Sequence, residues 1–174
     1  MTGASGGMGT ATMMLAKLAG ASVIATTRHA QKSNMLKQQG ADLVVDTTRA
    51  DAAQQIRDFT KGEGVDAAVE YTGIPELMRL CIDCMRLGGT FCPVAGELKE
   101  LPVRVVDLVS KELNIHGVRA STRNDQRIVI ELLEKGLLEI PVHATLPLSK
   151  VADAHRILEN GHDLIGRIVL HPWG

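Results

Sequence analysis

Met1-Thr-Gly-Ala-Ser-Gly-Gly-Met-Gly-Thr-Ala11 leads straight into Met13-Met-Leu-Ala-Lys-Leu-Ala19, a glycine-rich loop feeding a helix-forming segment. Glycines let the backbone turn tightly and approach a ligand closely, while a helix start offers unpaired N–H groups and a partial positive charge. That combination suits a pyrophosphate, and so a dinucleotide. Downstream, the apolar runs Ser22–Thr27, Asp42–Asp46, Asp66–Glu70, Thr90–Ala95 and Leu113–Val118 read as strands. Helix-like stretches lie near 8–20, 29–39, 50–60, 75–86, 103–111 and 123–136. Strand-like runs separated by helices call for parallel strands, because only helices cover both faces of such a sheet. The pattern is α/β, a doubly wound and mostly parallel sheet with helices on both faces.

In that architecture a strand precedes the glycine loop at the sheet centre, and here only Met1 and Thr2 do. The first strand is missing from this sequence, and roughly ten or more further residues are expected upstream of Met1. Gly88-Gly89 and Gly136 read as helix stops. After Ile140-Pro141 the rhythm changes to an extended piece from Val142 to Leu148, a helix beginning near Ser149 and a closing strand at Arg167–Leu170. The chain therefore divides into a dinucleotide-binding domain, 1–140, and a C-terminal strand-helix-strand segment, 141–174.

Composition narrows the function. The 174 residues carry 19 Lys+Arg against 20 Asp+Glu, a net charge of −1, with 45% hydrophobic residues and aromatics only at Phe59, Tyr71, Phe91 and Trp173. Near-neutral charge and few rings argue against a nucleic-acid partner, and no apolar run reaches the ~18 residues of a membrane helix. Three cysteines give no disulfide framework, which suits a cytoplasmic protein. Cys81 and Cys84 form a CxxC, but apolar residues recur around them at helical spacing and no second pair accompanies them, so they read as helix positions and not metal ligands. His116, His143, His155 and His162 lack ligand or triad spacing and read as surface or packing residues.

The second strand selects the nucleotide. An NAD site ends that strand with a carboxylate about 20 residues past the loop, for the ribose hydroxyls. Here it ends Ala25-Thr-Thr-Arg-His29, with Lys32 one turn further on. A hydroxyl followed by cationic side chains suits a 2′-phosphate, so NADP(H) is the expected cofactor.

The motifs resemble those of the medium-chain dehydrogenase/reductase superfamily, which includes quinone oxidoreductases, enoyl reductases and zinc-type alcohol dehydrogenases. Ala4-Ser-Gly-Gly-Met-Gly9 is similar to its glycine loop, and Gly40-Ala-Asp42 to the turn before its third strand. Gly64–Gly73, Leu87–Gly96 and Glu112–Val118 resemble its fourth, fifth and sixth strands, and His162–Leu170 its closing strand. The loop alone also resembles that of short-chain dehydrogenases, but their Tyr-x-x-x-Lys pair is absent: the only tyrosine is Tyr71, with Pro75 four positions on.

The resemblance implies a Rossmann domain and assigns its cofactor residues. Ser5, Gly6, Gly7, Met8 and Gly9 would lie under the pyrophosphate; Thr27, Arg28 and Lys32 would face the 2′-phosphate. Thr72 and Gly73 would line the crevice, Ala95 and Gly96 the nicotinamide ribose, and Val118, with Ala120 nearby, the ring. The implied activity is hydride transfer between nicotinamide and a carbonyl or activated double bond, with alcohol, quinone and enoyl substrates all open. Catalytic residues, and any zinc lobe, would belong to an N-terminal domain with no counterpart here, so zinc dependence stays open. The segment 141–174 would pack on that domain. Leu113–Val118, at the sheet edge, is the expected homodimer strand. Two rivals stand: a regulatory module that binds dinucleotide without chemistry, and a methyltransferase-like domain, against which the Thr27-Arg28 strand end argues.

Overall fold

Every strand pair among the described residues is parallel, as strands linked by crossover helices require. The computed structural model describes residues 1–95, 100–160, 164 and 166–173. In chain order the elements are α1 (Gly7–Leu18), β1 (Ile24–Thr27), α2 (Ser33–Gln38), β2 (Leu43–Asp46), α3 (Ala52–Phe59), β3 (Val65–Glu70) and α4 (Pro75–Cys84). There follow β4 (Met85–Pro93), α5 (Val105–Lys111), β5 (Asn114–Ile115), α6 (Arg123–Glu134), β6 (Val142–Pro147), α7 (Val151–Asn160) and β7 (Arg167–His171). They form three sheet pieces, β1-β2, β3-β4-β5 and β6-β7. No helix among the described residues is long and apolar enough to cross a membrane.

Among the described residues, Met1 and Thr2 bridge β1 and β3. The Met1 ammonium donates to Ile24 O (2.7 Å) and Thr26 N donates to Met1 O (3.0 Å), which is parallel pairing opposite Ala25. Thr2 N donates to Val69 O (3.1 Å) on the other side. Beyond them opens a cavity of about 500 Å³ lined by Val23, Ile24, Val65, Ala67, Cys81 and Phe59, among others. Burial there lowers the Met1 ammonium pKa and pushes the Cys81 thiol up to about 12.

Three apolar clusters cover the sheet. One packs Met78, Cys81 and Ile82 of α4 on Ala68 and Phe91; a second packs Met13 and Leu36 on Val23 and Ala25; a third packs Ile56 and Cys84 on Ile24 and Val45. The two cysteines of the CxxC are thus buried core positions in different clusters. Among the described residues no group of three His, Cys, Asp or Glu could hold a metal.

The structure corrects several boundaries. Helix α4 ends at Cys84, and Gly88-Gly89 are not its stop but lie inside β4. Val65 pairs with Met85 while Ala67 pairs with Thr90, so β4 bulges between them, and the positive φ of Gly88 (+71°) carries the bulge. The 113–118 run shortens to Asn114–Ile115. His116 N still donates to Phe91 O (2.9 Å), but the next donor in that ladder would be Pro93, which has no N–H. The 29–39 helix begins as a 3₁₀ turn, Ala30–Lys32, and Ser149 likewise sits in a 3₁₀ turn ahead of α7. Gly136 does follow α6 in the left-handed conformation, at φ +65°.

Candidate cofactor site

Among the described residues, helix α1 begins without a side-chain cap. Gly6 is the N-cap residue, and no acidic residue stands in the first turn. The loop closes on itself through Gly6 N to Gly3 O (3.1 Å) and Thr10 Oγ1 to Gly6 O (2.8 Å). Gly9 is buried where a Cβ would run into Gly3 O and come 2.7 Å from Ala4 Cα, so only glycine lets the loop fold this tightly onto the helix. Gly6 and Met8 are exposed beside it, with Ser5 and Gly7 half-buried. The positive end of a twelve-residue helix with no side-chain cap and no acidic residue in its first turn suits a diphosphate.

The C-terminal segment reaches this loop. Gly6 and Gly166 form a parallel bridge, and Gly166 N donates to Ser5 O (3.5 Å). Arg167 lies over Gly7 so closely that a Cβ there would meet its Cδ at 2.6 Å and its Cζ at 2.9 Å. An exposed guanidinium therefore stands at the open end of α1. Sequence reasoning placed Arg167 in the closing strand but gave it no ligand role, because it lies at the far end of the chain from the glycine loop.

At the end of β1, Thr27 is buried and its hydroxyl accepts from His29 N (3.0 Å), while Arg28 is exposed. Lys32 is buried and its Nζ donates to Leu164 O (3.4 Å), tying the 3₁₀ turn to the C-terminal segment. The sequence of this strand end, Thr27 to Lys32, carries no carboxylate.

At the end of β3 the organising group is Glu70, also missed as a functional residue. Its side chain is fully buried and accepts from Thr2 Oγ1 (2.8 Å), Thr72 N (2.7 Å), Gly73 N (3.0 Å) and the Thr72 hydroxyl. Its backbone carbonyl accepts Val94 N (2.9 Å) and Ala95 N (3.3 Å). Thr72, Gly73 and Ala95 are thus gathered at the carboxyl ends of β3 and β4. The signal was a charged residue closing an apolar strand. Tyr71, beside them, is hydrogen-bonded to Thr12 of α1 (2.5 Å). Val118 is 47% exposed in the irregular segment after β5, and Gly96 lies outside the described residues. His116, His143 and His155 are exposed; His162 also lies outside the described residues.

A family model described as zinc-binding dehydrogenase matches residues 7–135. This chain belongs to that family. Its zinc-binding dehydrogenase relatives lie within the medium-chain dehydrogenase/reductase superfamily, in agreement with the motif order. A 2-haloacrylate reductase of Burkholderia sp is 29% identical over 185 residues, covering 97% of this chain and 54% of that protein. An alcohol dehydrogenase of Geobacillus stearothermophilus is 30% identical over 165 residues, covering 95% and 48%. The crystal structure of AibC superposes with a TM-score of 0.88 at 36% identity, covering 97% of this chain and 50% of that one. The chain spans about half the length of the relatives it matches. The alternating helices and parallel strands are Rossmann-like, as in these neighbours.

Proposed function

We propose that this chain binds NADP(H) and is the cofactor-binding part of an oxidoreductase that moves a hydride between nicotinamide and a carbonyl or activated double bond. The observation that carries the reading is the uncapped N-terminus of α1, with Arg167 lying over it and a strand end, Thr27-Arg28, that offers a cation where NAD sites offer a carboxylate. The dinucleotide supplies the hydride chemistry when bound. The residues of this chain hold and orient it: the α1 N–H groups and Arg167 take the diphosphate, Arg28 the 2′-phosphate, and Thr72, Gly73 and Ala95 border the crevice toward the nicotinamide. Relatives named as reductases of haloacrylate and acryloyl-coenzyme A, and as alcohol dehydrogenases, support a small-molecule substrate of the carbonyl or activated-alkene class. A cytoplasmic location and a homodimer through β5 complete the reading; exposed Ile115 on that strand, with exposed Val105 and Val109 on the preceding helix α5, supports self-association.

Calorimetric titration with NADPH and NADH tests the assignment. NADPH should bind about tenfold or more tighter, and Arg28→Ala should remove that preference while leaving NADH affinity unchanged. Equal affinities insensitive to Arg28→Ala would refute the 2′-phosphate assignment, and no binding of either would refute the dinucleotide site.

A further inference from the structure

We infer that Glu70 is a positioning residue that locks the two halves of the dinucleotide crevice together, the diphosphate loop on one side and the turn bordering the nicotinamide on the other. The inference rests on the cofactor reading above and adds to it how the crevice is held in shape. Glu70 is fully buried, and among the described residues its carboxylate is held by hydroxyls and backbone N–H groups and faces no cation. These donors come from two separate pieces of chain. Thr2 Oγ1 belongs to the residue that enters the glycine loop, whereas Thr72 and Gly73 form the turn after β3. Thr2 Oγ1 in turn accepts from Tyr71 N (3.1 Å), so the hydroxyl is held from both sides.

A buried carboxylate with several donors is an all-acceptor group that fixes its neighbours' directions, since each donor left without it would be an unsatisfied buried group. Gly73, at φ +67°, takes a conformation that other residues reach only at a cost, and its N–H is aimed at Glu70 Oε2. On its backbone side Glu70 also anchors Val94 and Ala95 at the end of β4. One residue thus touches the loop, the β3 turn and the β4 end, and none of its hydrogen bonds reaches the Thr27-Arg28 strand end. Its influence should fall on the diphosphate and nicotinamide parts of the ligand and spare the adenosine 2′-phosphate part.

That division gives the test. Glu70→Gln keeps the size but replaces one acceptor oxygen by an NH₂ that faces existing donors; Thr2→Val removes only the bridging hydroxyl and is the milder change. NADPH and adenosine 2′-monophosphate are titrated into the parent chain, each variant and the double variant, with circular dichroism confirming folding. Glu70→Gln should weaken NADPH about 10–30-fold and Thr2→Val about threefold to tenfold, while affinity for adenosine 2′-monophosphate changes less than about twofold. The double variant should be no worse than Glu70→Gln alone, because both break one link. Equal losses for both ligands, or multiplicative losses in the double variant, would overturn the coupling while leaving the cofactor reading intact. No NADPH binding by the parent chain would overturn both.

Discussion

Gly9→Ala should lower NADPH affinity by at least about 100-fold and destabilise the cofactor-free chain by about 1–3 kcal/mol, a Tm drop of roughly 3–10 °C. Two effects oppose each other. Gly9 lies inside α1, where alanine is favoured over glycine by about 1 kcal/mol, so helix propensity alone predicts stabilisation. Packing predicts the reverse: the new Cβ would meet Gly3 O, Gly3 C at 2.9 Å and Ala4 Cα at 2.7 Å, all of them backbone. Backbone cannot swing aside as a side chain can, so the loop must lift from the helix. Lifting it breaks the Gly6 N to Gly3 O turn and moves the N–H groups that would meet the diphosphate. Thermal melting together with calorimetry checks both halves. A stabilised variant that binds normally would show that the loop is slack and that Gly9 is an ordinary helix residue.

Arg167→Ala should weaken NADPH and NADH alike, by about 10–100-fold, the loss of one charge-assisted contact to a diphosphate. The effect on stability should have the opposite sign. Without a bound anion, a guanidinium at the N-terminal end of α1 faces the positive pole of the helix, and its removal should leave the unfolding free energy unchanged or raise it slightly, by about a few tenths of a kcal/mol. Arg28→Ala, in contrast, should discriminate between the two cofactors, because only one of them carries the 2′-phosphate. A titration series over salt concentration sharpens the contrast, since the contribution of the exposed Arg167 should fade as screening rises. A variant that loses stability and keeps its affinity would make Arg167 a packing residue of β7.

Much of the site was legible because it is built from local signals. Gly9 is a glycine where a loop must press on a helix, and Thr27-Arg28 end a strand at the distance where a ribose ligand is expected. Glu70 was visible only as the last residue of an apolar strand; that its carboxylate ties Thr2 to Thr72 and Gly73 depends on contacts across 68 positions of sequence. Arg167 is further out of reach, since its place over Gly7 follows from the Gly6–Gly166 bridge, and the motif in each segment says nothing of their meeting. Lys32 is expected at the 2′-phosphate by its spacing from Arg28; that its ammonium also reaches the Leu164 carbonyl of the C-terminal segment is a contact no spacing shows. Gly88-Gly89 looked like a helix stop by composition, and only the register of β4 against β3 shows that they belong to a bulge.

The sequence by itself determined the alternation of strands and helices, the parallel sheet that follows from it, the glycine loop at the head of α1 and the carboxylate-free end of β1. Each is set by period, propensity or steric need over a few neighbouring residues. Only the tertiary structure decided which distant groups share the crevice: the guanidinium of Arg167 above the loop, the carboxylate of Glu70 beneath it, and β5 cut short because Pro93 lacks the next ladder donor. Those outcomes rest on hydrogen bonds and close approaches between segments far apart in the chain, and such contacts leave no periodic trace in either segment.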